Sequence, residues 1–200
     1  MIDENKAQIS LISQDSKLAA GVRIWNYSYI RENSQIGEDT IIGSYVYIDS
    51  NVVIGKNCKI QNRAQLFDPT IIHDGVFIGP GVILTNDQYP RSINTDGSIK
   101  SAKEWKKVGV EVNEGASIGA GAICVAPVKI GKWALIGAGS VIISDVPDFA
   151  LVVGNPGRQI GWVGRSGIKL KEVEANNFIC PRTQTQYELQ NGVLSEILVK

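Results

Sequence analysis

The sequence predicts an all-β chain wound as a parallel β-helix of triangular coils, and three observations carry that prediction. Stepping by six residues from Ile12 gives Leu18, Ile24, Ile30, Ile36, Ile42, Ile48, Ile54, Ile60, Leu66, Ile72, Ile78 and Leu84. That is thirteen consecutive hits on Ile or Leu, which make up only 37 of the 200 residues. Four residues after each member, from Ser16 to Val82, stands a small or β-branched side chain. The pattern then resumes in a new frame at Val112, Ile118, Cys124, Ile130, Ile136 and Ile142, with Ala116, Ala122, Val128, Ala134, Ser140 and Val146 as its small set.

Six is not a helical period, and the β-branched content favours short strands that turn every six residues. Three hexads close one coil of eighteen residues, and coils stack by parallel strand pairing about 4.8 Å apart. The large aliphatics and the small set then fill the prism, each inward Ile contributing about 1.5–3 kcal/mol of burial. Between the two runs the repeat fails across TNDQYPRSINTDGSIKSAKEWKKVGV, which places an excursion at about 85–110. Loops of that length in a compact domain are functional or disordered. The division expected is a β-helix over residues 1–147 and a C-terminal cap and tail over 148–200, since an open solenoid end needs a cover.

Composition excludes several classes of function. Twenty Lys plus Arg balance twenty Asp plus Glu, so no net field draws the chain to nucleic acid or to an acidic membrane. The opening MIDENKAQISLISQDSKLAAG is polar, and no run of about eighteen apolar residues occurs, so a cytoplasmic protein is expected. Cys58, Cys124 and Cys180 are too widely spaced for a disulfide framework. FICPRTQTQYEL, around Cys180, looks like half of a zinc ribbon, but the second cysteine and the other half-site are missing, so no metal is expected. Cys58 falls in the small set and Cys124 in the large one, which assigns both to the core.

These hexads, with the excursion and the exit DVPDFALVVGNPGRQIG, resemble the left-handed β-helix acyltransferases over roughly residues 12–165. The resemblance supplies the handedness, which opposes the usual right-handed crossover rule. Within that family QNRAQLFD, VFIGPGVILTND followed by YPRS, and GNPGRQIGW look like the nucleotide-linked amino-sugar N-acetyltransferases, especially those acting on a 3-amino group. The resemblance implies a homotrimer that binds acetyl-CoA between parallel prisms and serves surface glycan synthesis. Two departures stand out. Tyr89-Pro90 replaces the His-Pro that serves as base in sugar O-acetyltransferases of this fold, and Gly157 stands where the family usually has Ala.

Residues eighteen apart stack, so columns are readable from the sequence. Glu32, Ser50, Asp68 and Asn86 form one, which makes Asp68 and Asn86 neighbours at the root of the excursion, at positions that match those holding the amino sugar in the family. A carboxylate can accept from an ammonium or a hydroxyl, and an amide can both donate and accept. His73 is the only histidine and the obvious base on chemistry alone. It belongs to a different column, with Ala19, Gly37 and Gly55, so it is either a base supplied across a subunit boundary or a surface residue. A base is optional, because an amine titrating near an α-amino group is partly neutral at cellular pH. Family-like positions give Arg31, Asn62, Tyr89 and Arg91 for the sugar nucleotide. They give Ala120, Ala138, Asn155 and Arg158 for acetyl-CoA. A sugar O-acetyltransferase of the same fold and a non-catalytic β-helical binding module remain the alternatives.

Overall fold

The computed structural model describes residues 10–101 and 103–197. Residues 1–9 of the polar opening, residue 102 of the excursion and the last three residues lie outside the described residues. The chain winds as a left-handed parallel β-helix with three faces. The first face stacks seven strands: Leu11–Ile12, Tyr29–Ile30, Tyr47–Ile48, Gln65–Leu66, Ile83–Leu84, Ile123–Cys124 and Val141–Ile142. The second stacks six, from Lys17–Leu18 to Val128–Ile130, and the third begins at Arg23–Ile24. Most strands are two residues long, and each inward residue is the repeat aliphatic.

Parallel partners are eighteen residues apart, as in Tyr29 with Tyr47 and Gln65 with Ile83. Across the excursion Ile71 pairs with Glu111 instead, forty residues on, and the stack continues in register above it. The inserted segment is therefore extruded from one corner without displacing a rung.

The core is the repeat itself. Ile30, Ile42, Ile48, Ile60, Leu66, Ile78, Leu84, Ile118, Ile130 and Ile136 are completely buried. Buried hydroxyls in the small set need partners, and the corners supply them to Ser28 and Thr40, whereas Thr70 Oγ1 has none among the described residues. Ser28 Oγ donates to Gly43 O at 2.7 Å and Thr40 Oγ1 donates to Gly55 O at 2.9 Å, so each hydroxyl bonds the corner of the rung above. Cys58 and Cys124 lie in this core as free thiols, and burial pushes Cys124 up to about 12.

Beyond Val146 the expected tail is replaced by ordered structure. Ala150–Val153 adds one more parallel rung to the third face and Arg158–Trp162 folds back on it antiparallel. A four-stranded antiparallel sheet follows, comprising Lys171–Glu174, Asn177–Ile179, Gln186–Gln190 and Val193–Glu196. Phe149, Leu170, Cys180, Tyr187 and Leu194 give it a small core of its own. The half-ribbon around Cys180 lies here, with Ser166 Oγ 3.2 Å from its sulfur. Burial pushes this thiol up, but hydrogen bonds from Ser166 and Thr183 and the amides of Thr183 and Arg182 outweigh it and bring it down to about 7. Among the described residues no three His, Cys, Asp or Glu side chains converge as metal ligands.

Candidate functional site

The three faces meet at three corners, and the residues singled out from the sequence divide among them. Asp68 and Asn86 occupy the first corner, between the first and second faces, at equivalent positions of adjacent rungs: Leu66 pairs with Leu84 two residues before them. Asp68 is 6 % exposed. Its Oδ2 accepts from Asn51 Nδ2 at 3.1 Å and from Lys107 Nζ at 2.5 Å, while its backbone N–H donates to Asp49 Oδ2 at 3.3 Å. Its Oδ1 is buried with no hydrogen-bond partner among the described residues. An orphaned carboxylate oxygen is expensive in a folded protein, and such groups mark places where a ligand or water completes the set. Asn86 is half-buried, and its amide bonds to none of the described residues. It lines an open, shallow depression of about 290 Å³ together with excursion residues Asp87, Arg91, Ser92, Lys100, Ser101 and Trp105.

Below this pair the same corner is braced by charge. Arg31 reaches Glu32 at 2.5 Å and Asp49 at 2.9 Å, and Tyr47 O–H donates to the same Asp49 oxygen. Glu32 is held below the usual carboxylate range by its own backbone amide and by Arg31. Arg31, expected to meet a diphosphate, thus already has two carboxylates. Arg91 lines the excursion depression, whereas Tyr89 projects outward, 73 % exposed.

His73 sits at the second corner, as its column required. Its Nε2 is 3.2 Å from Glu111 Oε1, and Glu111 also pairs with Lys129 at 3.1 Å. Lys129 first, then His73, holds the Glu111 carboxyl below the usual range. Within one chain nothing brings His73 to Asp68 and Asn86.

At the third corner, Asn62 Oδ1 accepts the Ser44 N–H at 2.9 Å, a brace from rung to rung that leaves its NH2 for other partners. Ala120 and Ala138 are exposed one and two rungs above Pro80 in the same column, where a larger side chain would obstruct a thin ligand. Asn155 and Arg158 flank Gly157 in the terminal hairpin, and Arg158 borders a shallow cavity of about 330 Å³ over Ile142 and Val152. A Cβ on Gly157 would lie 2.7 Å from Ile142 Cδ1, so the departure from Ala at this position tightens the hairpin on the last rung.

Lys107 and Asn51, the two side chains that bond Asp68 Oδ2, are not among the candidates read from the sequence. Asn51 lies seventeen residues from Asp68 and was recoverable from the eighteen-residue register. Lys107 lies beyond the break in the repeat, where no period relates it to Asp68.

Comparison with known proteins agrees with this architecture. The bacterial transferase hexapeptide family matches residues 15–50 and 51–86, and the hexapeptide repeat of succinyl-transferase matches 109–144. The chain belongs to the hexapeptide-repeat transferases. It is 41 % identical over 88 residues, 44 % of this chain and 45 % of the relative, to a dTDP-3-amino-3,6-dideoxy-alpha-D-galactopyranose 3-N-acetyltransferase of Aneurinibacillus thermoaerophilus. The chain spans less than half the length of the curated relatives it matches. Among solved structures it superposes on the acetyltransferase domain of PglB from Neisseria gonorrhoeae FA1090 with a TM-score of 0.52 at 21 % identity, over 76 % of this chain and 57 % of that one. A hexapeptide-repeat acetyltransferase of Vibrio cholerae O1 biovar eltor, complexed with acetyl coenzyme A, superposes with a TM-score of 0.51 at 22 % identity, over 64 % and 70 %. Both structural likenesses concern the fold.

Proposed function

We propose that this chain is an acetyl-CoA-dependent N-acetyltransferase acting on the amino group of a nucleotide-linked amino sugar, a 3-amino sugar by preference. The observation that carries the reading is the first corner: a buried carboxylate oxygen without a partner, beside an amide left free under an excursion. That arrangement occurs in a chain 41 % identical over 88 residues to a 3-amino-sugar N-acetyltransferase. Acetyl transfer needs an amine lone pair, an oriented thioester and donors for the developing oxyanion. Asp68 Oδ1 can accept one N–H of the amine and so aim its lone pair. Asn86 can donate its N–H to the sugar or to the oxyanion. The nitrogen bonds the acetyl carbon as the thioester C–S bond breaks, and the amine's proton leaves with the thiolate, so His73 is not required as a base.

Acetyl-CoA would lie along the third corner beside Ala120 and Ala138, with Asn155 and Arg158 at its nucleotide end. Arg91 and Tyr89 would meet the sugar nucleotide from the excursion. The candidate residues occupy three separate corners, which supports a homotrimer in which grooves between protomers assemble the complete site. Balanced charge supports a cytoplasmic enzyme without nucleic-acid or membrane partners. Thiol release from acetyl-CoA, measured with matched amino and hydroxy nucleotide sugars, tests the reading. Turnover confined to amino acceptors is the expected result, and turnover of hydroxy acceptors alone, or of none, overturns it. Light scattering of the active protein should give a trimer mass, and an active monomer would remove the assembly.

A further inference from the structure

Many rungs of the prism turn a corner through one residue with left-handed backbone, a conformation that suits Gly, Asn and Asp and that bulky side chains rarely adopt. At the first corner such residues are Asn33 and Asn51, and at the second Gly21, Asp39, Asn57, Gly75 and Gly115, with Trp133 and Phe149 on its last rungs. At the third corner three successive rungs depart from the rule. Tyr27, Tyr45 and Arg63 take φ of 65°, 58° and 63° and all three are exposed. The other large rings in such positions, Trp133 and Phe149, are packed into the C-terminal cluster and gain burial in return.

The three side chains form a ladder. The Tyr27 and Tyr45 rings stack with centroids 4.9 Å apart and planes 18° from parallel, and the Arg63 guanidinium lies over Tyr45 at 6.0 Å. Among the described residues Arg63 makes no ion pair, in contrast to Arg31 with its two carboxylates. Above Arg63 the same position becomes Gly81, Gly121 and Gly139, and nothing lies within 4 Å of where their Cβ atoms would be. Strained positions holding exposed aromatic side chains destabilise the free protein, and strain of this kind concentrates at ligand sites. A stacked pair of rings offers a platform for a planar heterocycle, and a guanidinium beside them without a carboxylate partner among the described residues offers its N–H donors to phosphate oxygens.

Arg63 and Asp68 belong to one rung and stand at opposite edges of the first face, five residues apart and so separated by at most about 17 Å of extended chain. Between them the face presents Tyr29, Tyr47 and Gln65. We propose that Tyr27, Tyr45 and Arg63 form the subsite for the nucleoside diphosphate of the substrate, the base on the tyrosine ladder and the diphosphate on Arg63. The sugar then lies over the first face, on the side of Asp68 and Asn86. This inference rests on the amino-sugar nucleotide reading and gives the diphosphate an arginine other than Arg31 and Arg91, the two indicated by sequence.

Calorimetric titration of the full chain with uridine diphosphate, thymidine diphosphate, inorganic pyrophosphate and coenzyme A tests it. Arg63→Met should weaken both nucleoside diphosphates and pyrophosphate at least tenfold. Tyr45→Asn should weaken the nucleoside diphosphates at least fivefold and pyrophosphate little. It should also keep the wild-type oligomeric mass and a Tm no lower than wild type, because Asn suits the left-handed position. Coenzyme A binding should not change in either variant. Absent nucleoside diphosphate binding in the wild type, unchanged affinities in both variants, or a lowered Tm or altered mass for Tyr45→Asn would each overturn the subsite, the last two by making the ladder structural or an interface between copies. Ladder-dependent binding in a protein that acetylates no amino sugar would overturn the enzymatic reading and leave the subsite. Turnover of amino sugars that is indifferent to both variants would do the reverse.

Discussion

The first and second corners of the prism are built from the same hexads over the same aliphatic core, yet they differ in how completely their polar side chains are satisfied. At the second corner Asp74 accepts the Lys56 N–H at 2.9 Å, Asn113 donates to Ile130 O at 2.9 Å, and His73, Glu111 and Lys129 form a closed chain of contacts. At the first corner the register takes in the excursion, Asp68 keeps a buried oxygen without a donor, and Asn86 keeps a free amide. A repeat that satisfies itself at one corner and leaves groups open at another separates scaffold from site. The core supplies rigidity to both corners, and chemistry collects where the period is interrupted.

That contrast is broken most directly at Asn86. Asn86→Ala should lower kcat/KM by about ten- to a thousand-fold, the range for loss of a positioned polar group, with Tm unchanged. Near-wild-type turnover would make the first corner as inert as the second. Lys107→Met removes the excursion's grip on Asp68 and leaves Oδ2 with Asn51 alone. A fall in kcat/KM of about tenfold is expected, with Tm lowered as well, because a nearly buried carboxylate loses its cation. Unchanged kinetics and Tm together would show that Lys107 neither orders the loop nor positions Asp68.

The second corner should respond weakly. His73→Gln is expected to keep at least about a tenth of wild-type kcat, since general-base assistance is worth about 10² to 10⁴ and none is assigned here. A loss beyond a hundred-fold, with the acidic limb of the pH profile abolished and the oligomer intact, would make His73 the base, reached from a neighbouring protomer. The smallest effect concerns Glu111, whose carboxyl is held down by Lys129 and His73. A carboxyl lower in the folded than in the unfolded chain stabilises the fold above the unfolded value, about 4.3, and that contribution disappears as pH falls through the folded one. Tm of the wild type should therefore drop more steeply below about pH 4.3 than that of Glu111→Gln, and parallel curves would show the pairing to be without energetic weight.

Much of the solenoid was legible because its order is one-dimensional. A six-residue period with fixed side-chain direction names the inward set, the rung and the column at once. Ile60 and Ala64 could be assigned to the core, and Asp68 stacked under Asn86, without any tertiary knowledge. The same arithmetic assigned His73 to a separate column. Where the period stops, so does that legibility. The four-stranded sheet over Lys171–Glu196 falls within the expected cap and tail, but its strands are not legible there, because antiparallel pairing set by turns and by a five-residue core leaves no repeat to count.

The sequence by itself determined the parallel β-helix, its inward residues and the separate columns of Asp68 with Asn86 and of His73, because hexad spacing converts position in the chain directly into position in space. The tertiary structure alone decided what those side chains are free to do. It gave Arg31 to Glu32 and Asp49, brought Lys107 across thirty-nine residues to one oxygen of Asp68 and left the other open, and laid Arg63 on Tyr45 without a carboxylate partner. Those outcomes depend on rotamers and on the path of a non-repeating loop, and both are settled by competition among neighbours that no period encodes.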